Sequence, residues 1–204
     1  MTEPATRRNR TYAPRMAPEQ RRAQLLDAAL RIIVEQGIHK VSMDAVARSA
    51  GVTRPVVYSQ FADTDDLLRS SLEREEQLAR RQLSDIVPLR PTGDPAADAL
   101  RYLAGFLRAV TEAPDRWRAA FVLVDSATPY FRRRMEHWRR ELVTALEDFV
   151  RASTADLDVA MTARAIDALV WNAGRLTLAE PGEFPPERVI AYYTDLVRTH
   201  FDRR

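Results

Sequence analysis

The stretch from Ser42 to Phe61, SMDAVARSAGVTRPVVYSQF, holds two short apolar patterns with Gly51 wedged between them. Helices this short are marginal alone and must be held by longer neighbours. Ser42 stands where an N-cap belongs, and Asp44 falls in the first turn that follows. Thr53 opens the second pattern, and Pro55 is tolerated there because a first turn has no intrahelical N–H bonds to lose. Val46 and Ala47 face inward from the first helix, toward Val52 and Val57 from the turn and the second. Two stubby helices joined at a glycine form a helix-turn-helix, which puts Arg54 and Pro55 where a recognition helix addresses base edges. The competing reading is an incidental hairpin in an all-α bundle. The second helix, however, has too little apolar surface to need its own place in a core.

Charge distribution favours the first reading. Residues 1–60 carry ten basic against five acidic side chains, whereas 61–204 carry 21 against 24. A basic head on a slightly acidic body fits a polyanion-binding module joined to something else. Lysine occurs once, so part of the arginine excess is a habit of composition. There is no cysteine, which removes disulfides, thiolate metal sites and cysteine nucleophiles. His39, His137 and His200 stand apart, without a second ligand at metal spacing. No Ser-His-Asp set or glycine-rich phosphate loop is present, so no catalytic residue, metal or cofactor is expected. No apolar run is long enough to span a bilayer, and a cytoplasmic protein without membrane contact is the expectation.

Residues 1–17, with four arginines and two prolines, lack apolar periodicity and read as a flexible basic arm. Pro18 then opens a helix whose Leu25, Leu26, Ala29, Leu30, Ile33 and Val34 form one stripe. Gly37 ends it in a left-handed C-cap. A fourth, long helix is capped by Asp63 and runs to about Ile86. The segment VPLRPTGDP, 87–95, breaks the pattern and reads as a hinge. Helical patterns follow over 96–110, 115–125, 129–152, 156–178 and 187–201, with no sustained strand alternation. The expectation is all-α: a helix-turn-helix domain over 18–62, a body over 63–204, and 63–86 as the connecting helix. The charged run FRRRMEHWRR, 131–140, reads as a solvated face.

RAQLLDAALRIIVEQGIHKVSMDAVARSAGVTRPVVYSQFADTDDLL resembles the N-terminal domain of the TetR family of transcriptional repressors. The resemblance rests on DAA in the first helix, Gly37 closing it, AGVTRPVVY across the turn, the Tyr58 and Phe61 pair, and LL in the fourth helix. It covers roughly residues 20–70 and implies a three-helix DNA-binding domain on a ligand-binding and dimerising bundle. It places the hydroxyls of Ser42 and Thr53 near phosphates, Arg54 at bases or backbone, Tyr58 at a phosphate, and Arg22 at the start of the first helix. Pro55, Val56 and Ser59 complete the candidate DNA face. Gln60 stands where the family commonly has histidine. Thr64 stands where it usually has lysine, in a corner made acidic by Asp63, Asp65 and Asp66. The arm from Arg7 to Arg15 either follows the DNA backbone or minor groove or remains an unbound tail.

For the body, Tyr102, Phe106, Trp117, Phe121, Met135, Trp138, Met161 and Trp171 sit at inward spacings and read as core. The resemblance adds an apolar effector pocket as a second reading. Ile166, Leu169, Val170 and Ala173 form one stripe and Tyr193, Leu196 and Val197 another; the family implies that these two helices pair across a homodimer. The resulting expectation is a ligand-responsive repressor that binds a palindromic double-stranded DNA operator as a homodimer and answers to a small apolar effector. The alternatives are an all-helical enzyme or ligand carrier with a vestigial helix-turn-helix, and a constitutive DNA binder or activator.

Overall fold

Pro18 at the first position opens α1 (Pro18–Gln36), and Gly37 closes it at φ 91°, ψ 157°. That conformation has positive φ but is not the left-handed helical one expected; it is the extended region open essentially to glycine. It feeds a 3₁₀ turn, Ile38–Lys40, too short for periodicity to have shown. The computed structural model describes residues 16–86, 92, 94–124, 129–152 and 158–201. Among these residues the chain continues as α2 (Met43–Ala50), α3 (Arg54–Tyr58), α4 (Thr64–Leu83), α5 (Pro95–Glu112), α6 (Pro114–Val124), α7 (Pro129–Ala152), α8 (Val159–Ala179) and α9 (Pro186–Phe201). Every regular element among the described residues is helical, in keeping with the apolar periods. The expected basic arm, apart from Met16 and Ala17, and most of the expected hinge lie outside the described residues.

Two apolar cores organise these helices. The first gathers Leu25, Leu26, Ala29, Ile32 and Ile33 of α1 with Val46 and Ala47 of α2, Val57 of α3, and Phe61 and Leu67. Its last member, Ala119, comes from α6, so the head is seated on the body. The second core collects α5, α6, α7 and α8 around Phe106, Leu107, Trp117, Trp138 and Trp171. Helix α4 serves both: Leu67 belongs to the first core, and Leu72, Ala79 and Leu83 to the second.

The joint between the cores is polar and densely paired. Glu75 of α4 is buried and accepts from Arg74 at 2.7 Å and from Arg116 of α6 at 2.9 Å. Arg74 also reaches Asp27 of α1 at 2.8 Å and donates to the Ala23 carbonyl at 3.2 Å. The Gln82 side-chain oxygen accepts from Arg116 at 2.9 Å and from the Trp117 indole N–H at 3.2 Å.

Several boundaries differ from the sequence reading. Helix α4 ends at Leu83 rather than near Ile86; the Ile86 N–H donates to the Leu83 carbonyl at 2.9 Å in a closing turn. That turn directs Ile86 into the second core, against Gly105. Helix α8 starts at Val159, where the Asp158 carboxylate accepts from the Met161 N–H at 3.0 Å. Ahead of α5, the Thr92 N–H and hydroxyl both donate to Asp98 at 2.8 Å, and Arg101 lies 2.7 Å away. Burial works against the charge on Asp98, but these partners outweigh it and hold the carboxyl below the usual carboxylate range. The run 131–140 is not simply a solvated face. Phe131, Met135 and Trp138 are buried, Arg134 pairs with Glu76, and Arg139 pairs with Asp167.

The second core is closely filled around Gly174. Phe106 meets Trp117 edge-on at 5.0 Å between centroids, and Phe121 meets Trp171 edge-on at 4.7 Å. A Cβ on Gly174 would lie 2.7 Å from the Phe106 ring and 3.1 Å from Phe121. Alanine gains about 1 kcal/mol over glycine in helix propensity, but overpacking a core costs about 1–3 kcal/mol. Gly174→Ala is therefore expected to be neutral to destabilising by about 2 kcal/mol, despite the better helix former. Urea unfolding of the two proteins measures this; a clearly stabilised variant would show that Phe106 has room to move.

Candidate nucleic-acid interface

Helix α3 buries only Val57, so its remaining side chains are free for something other than the core. Its position is fixed from below. Gly51 caps α2 in the left-handed conformation at φ 66°, ψ 34°, and the Val52 N–H donates to the Ala47 carbonyl at 2.9 Å. The Ser42 hydroxyl caps α2 by accepting from the Ala45 N–H at 3.1 Å. Thr53 holds the backbone conformation of an N-cap but its side chain makes no capping bond. Its exposed hydroxyl thus stands at the edge of the turn, beside exposed Arg54 and Pro55.

Arg54 is not loose on this surface. Its Nε lies 2.6 Å from the Asp44 carboxylate of α2, Nη2 lies 3.5 Å from the Tyr58 hydroxyl, and the guanidinium sits 5.9 Å from the Tyr58 ring centroid. The Tyr58 hydroxyl first, and Asp44 second, hold the guanidinium deeper in its charged range. Tyr58 is 49% exposed. Asp44 reads in the sequence as a first-turn acid; nothing in the helical period shows that it reaches ten positions ahead, across the turn, to Arg54.

The other candidate contacts divide. Ser59 is exposed, its hydroxyl donating to the Val56 carbonyl at 2.7 Å, and Val56 and Gln60 are half-buried. Arg22 is engaged internally: its guanidinium donates to the Gln60 carbonyl at 2.7 Å and to the Ser70 hydroxyl at 2.8 Å, and stacks 4.3 Å from the Phe61 ring centroid. It braces α1 against the turn between α3 and α4. Thr64 opens the first turn of α4, where neighbouring carboxylates already take two backbone N–H groups. The Asp63 carboxylate accepts from the Asp66 N–H at 2.7 Å, and the Asp66 carboxylate accepts from the Ala62 N–H at 3.0 Å. This reciprocal cap places two carboxylates where a lysine would otherwise meet a phosphate.

In the body, Tyr102, Phe106, Trp117 and Trp171 are buried in the second core, and Phe121, also buried there, borders a hollow of about 330 Å³ with Val34, Arg118, Val122 and Arg175. Burial, then the Asp167 carboxylate, pushes the Tyr102 phenol well above its usual range. Met135 and Trp138 line a narrow crevice at the joint between head and body. Met161 departs from the inward placement expected of it, being 65% exposed. The buried positions of α8 are Ala163, Asp167, Val170, Gly174 and Thr177, and Met161 falls two residues out of that register, on the opposite face. The same register corrects the dimer stripe. Val170 and Ala173 belong to the protomer's own core, and Ile166 and Tyr193 are partly buried against it. The outward apolar side chains are Met161, Leu169 at 46% exposed, Tyr192 and Leu196. The Val197 side chain lies outside the described residues.

Residues 25–70 match the family model described as bacterial regulatory proteins, tetR family. This segment belongs to that family. A transcriptional activator of the helix-turn-helix type from Mycolicibacterium smegmatis, FasR, is 40% identical over 60 residues, covering 29% of this chain and 27% of that protein. The AcrR regulator of Shigella flexneri is 38% identical over 58 residues, covering 28% and 27%. The matched stretch thus spans about a quarter of the length of these curated relatives. In fold, a TetR-like transcriptional regulator from Rhodococcus sp. RHA1 superimposes with a TM-score of 0.76 at 22% identity, over 93% of this chain and 100% of that one. FadR of Bacillus subtilis, in complex with stearoyl-CoA, aligns at a TM-score of 0.64 and 16% identity over 86% and 96%. Helix-turn-helix fold and family segment coincide on the face built around α3.

The Asp44–Arg54 pair has a measurable consequence for that face. An exposed pair of this kind is worth up to about 1 kcal/mol, and the carboxylate competes with any phosphate for the guanidinium. Asp44→Asn is expected to raise affinity for random-sequence duplex DNA about two- to five-fold and to steepen the log–log salt slope by about one. Fluorescence anisotropy across a salt series checks both; an unchanged slope would show that Arg54 contributes no charge to DNA.

Proposed function

We propose that this chain is a ligand-responsive transcription regulator that binds a two-fold-symmetric duplex operator as a homodimer. The observation that carries the reading is a five-residue helix α3, embedded in a tetR-family segment, that is buried at Val57 alone and offers Arg54, Pro55, Tyr58 and Ser59 to solvent. Residues 18–62 form the DNA-binding head, 63–204 the ligand-binding and dimerising body, and α4 links them. So small a recognition helix reads few base pairs, and pairing two of them about a dyad supplies the missing selectivity.

The outward faces of α8 and α9 supply the dimer surface. Met161 and Leu169 lie along one side of α8, with Tyr192 and Leu196 on α9, exposed apolar side chains on two of the last helices. Regulation comes from a small, largely apolar effector whose affinity differs between the DNA-competent arrangement of heads and another. The fold-level likeness to a regulator solved with stearoyl-CoA supports a body that takes small molecules. Repression is the first reading of the outcome. The match to a relative named as an activator favours a second, in which the same bound dimer promotes transcription, and a reporter assay with the operator upstream of a promoter separates the two.

Selection from randomised duplex DNA is expected to enrich a pseudo-palindrome with half-sites about one helical turn apart or somewhat more. Sedimentation is expected to show a dimer at micromolar protein without DNA. Leu169→Glu should give a folded monomer whose operator affinity falls at least about ten-fold, because one reading head is lost from each encounter. No enriched motif, or a monomer that keeps full affinity, refutes the reading.

A further inference from the structure

The crevice at the joint of head and body lies at the margin of the second core, shares Leu72, Met135 and Trp138 with it, and is bounded on its far side by α1. One wall is Ile33 of α1, with Ile38 beyond it; the others are Leu72 of α4, Ala120 of α6, and Met135 and Trp138 of α7. It leaves about 30 Å³ of space for water, enough for about two molecules. Into this apolar slot falls one polar group without a partner. Ser71 of α4 is 1% exposed, and its hydroxyl makes no hydrogen bond. Buried hydroxyls are nearly always paired, and an orphan calls for an explanation.

The charges at the edge of the crevice narrow what can supply that partner. Glu75 is committed to Arg74 and Arg116, and Glu76 to Arg80 and Arg134. Arg116 is spent on Glu75 and Gln82. An ionic ligand would have to break one of these pairs to find a counter-charge, at the cost of desolvating both. A neutral one would break none.

We infer that the crevice is a binding site for a compact, neutral, apolar molecule carrying one hydroxyl or carbonyl, which pairs with Ser71. A molecule larger than two waters is accommodated by parting α1 and Ile38 from α4, α6 and α7. The parting wall belongs to the head and the remaining walls to α4 and the body. Occupancy is therefore a displacement of the reading head, and that displacement couples the site to DNA. The coupling rests on the DNA-binding function proposed above; the binding itself does not.

The full-length protein is titrated calorimetrically with p-cresol and with p-xylene, its isostere lacking the hydroxyl, in the absence of DNA. p-Cresol is expected to bind about five- to ten-fold more tightly. Ser71→Ala should bring the two to within about two-fold of each other, with p-xylene affinity kept. Ala120→Leu should weaken both by filling the slot. Because that variant can also disturb packing, location is read independently from ¹³C-methyl methionine spectra of the unmodified chain. There p-cresol should shift the Met135 methyl, assigned through Met135→Leu, and leave exposed Met161 in place. No shift at Met135, or an unchanged p-cresol preference in Ser71→Ala, overturns the site. With the selected operator bound, p-cresol affinity should fall five- to 150-fold by reciprocal linkage. An affinity that DNA leaves unaltered overturns the coupling. A selection that yields no operator defeats the DNA-binding reading while the calorimetric and Met135 results stand or fall alone.

Discussion

One carboxylate joins the helices that seat the head on the body. Glu75 sits on α4, takes Arg74 on one side and Arg116 of α6 on the other, and through Arg74 is connected to Asp27 and the Ala23 carbonyl of α1. Three helices therefore meet at a buried charge that none of them could accommodate alone. Removing one member of such a set leaves the others uncompensated, at about 3–5 kcal/mol, whereas a matched apolar replacement of the whole set can be neutral. The arrangement thus fixes one seating of the head on the body more than it adds stability. Ala119 of α6, packed in the head's own core, supplies the apolar half of the same seating. Any reorientation of the head on α4 must also break or carry along the contacts that tie α4 to α1 and α6.

The sequence made the helices legible because a 3.6-residue apolar period survives averaging over many side chains. It also exposed the turn chemistry, since Ser42, Gly51, Pro55 and Asp63 each act within a few residues of their own position. What it hid depended on partners far along the chain. Asp44 and Arg54 are ten residues apart and meet only because Gly51 folds α2 onto α3. Arg22, which the resemblance sets at the start of the first helix among the DNA contacts, is drawn inward when α4 brings Ser70 beside it. Met161 and Val170 show how narrow the margin is on an apolar helix: α8 has hydrophobic residues on both faces, so composition alone cannot say which face turns inward. The aromatic residues of the body posed the same problem in another form. Large rings at inward spacings suit a filled core and a lined cavity equally, and only their mutual distances decide. Ring centroids 4.7–6.4 Å apart leave no opening among them.

The residues expected at DNA differ in how the structure presents them. Thr53, Arg54, Pro55, Tyr58 and Ser59 all emerge exposed on or beside α3. At the start of α4 the departure at Thr64 falls in an acidic corner. There Thr64 stands in place of a lysine, and the Asp63 and Asp66 carboxylates take the Asp66 and Ala62 N–H groups. These acids stabilise the helix.

The double membership of α4 also bears on how such a chain could be recombined. Leu67 completes the head's core while Leu72, Ala79 and Leu83, within the same helix, complete the body's. A graft that exchanged residues 18–62 for those of another regulator would carry a new first core but leave Leu67 and Ala119 behind as its walls. The natural seam for a chimera is therefore not the loop ahead of α4. It lies inside the helix, after Leu67, and a transplant that respects it must still bring a partner matched to the small side chain at 119.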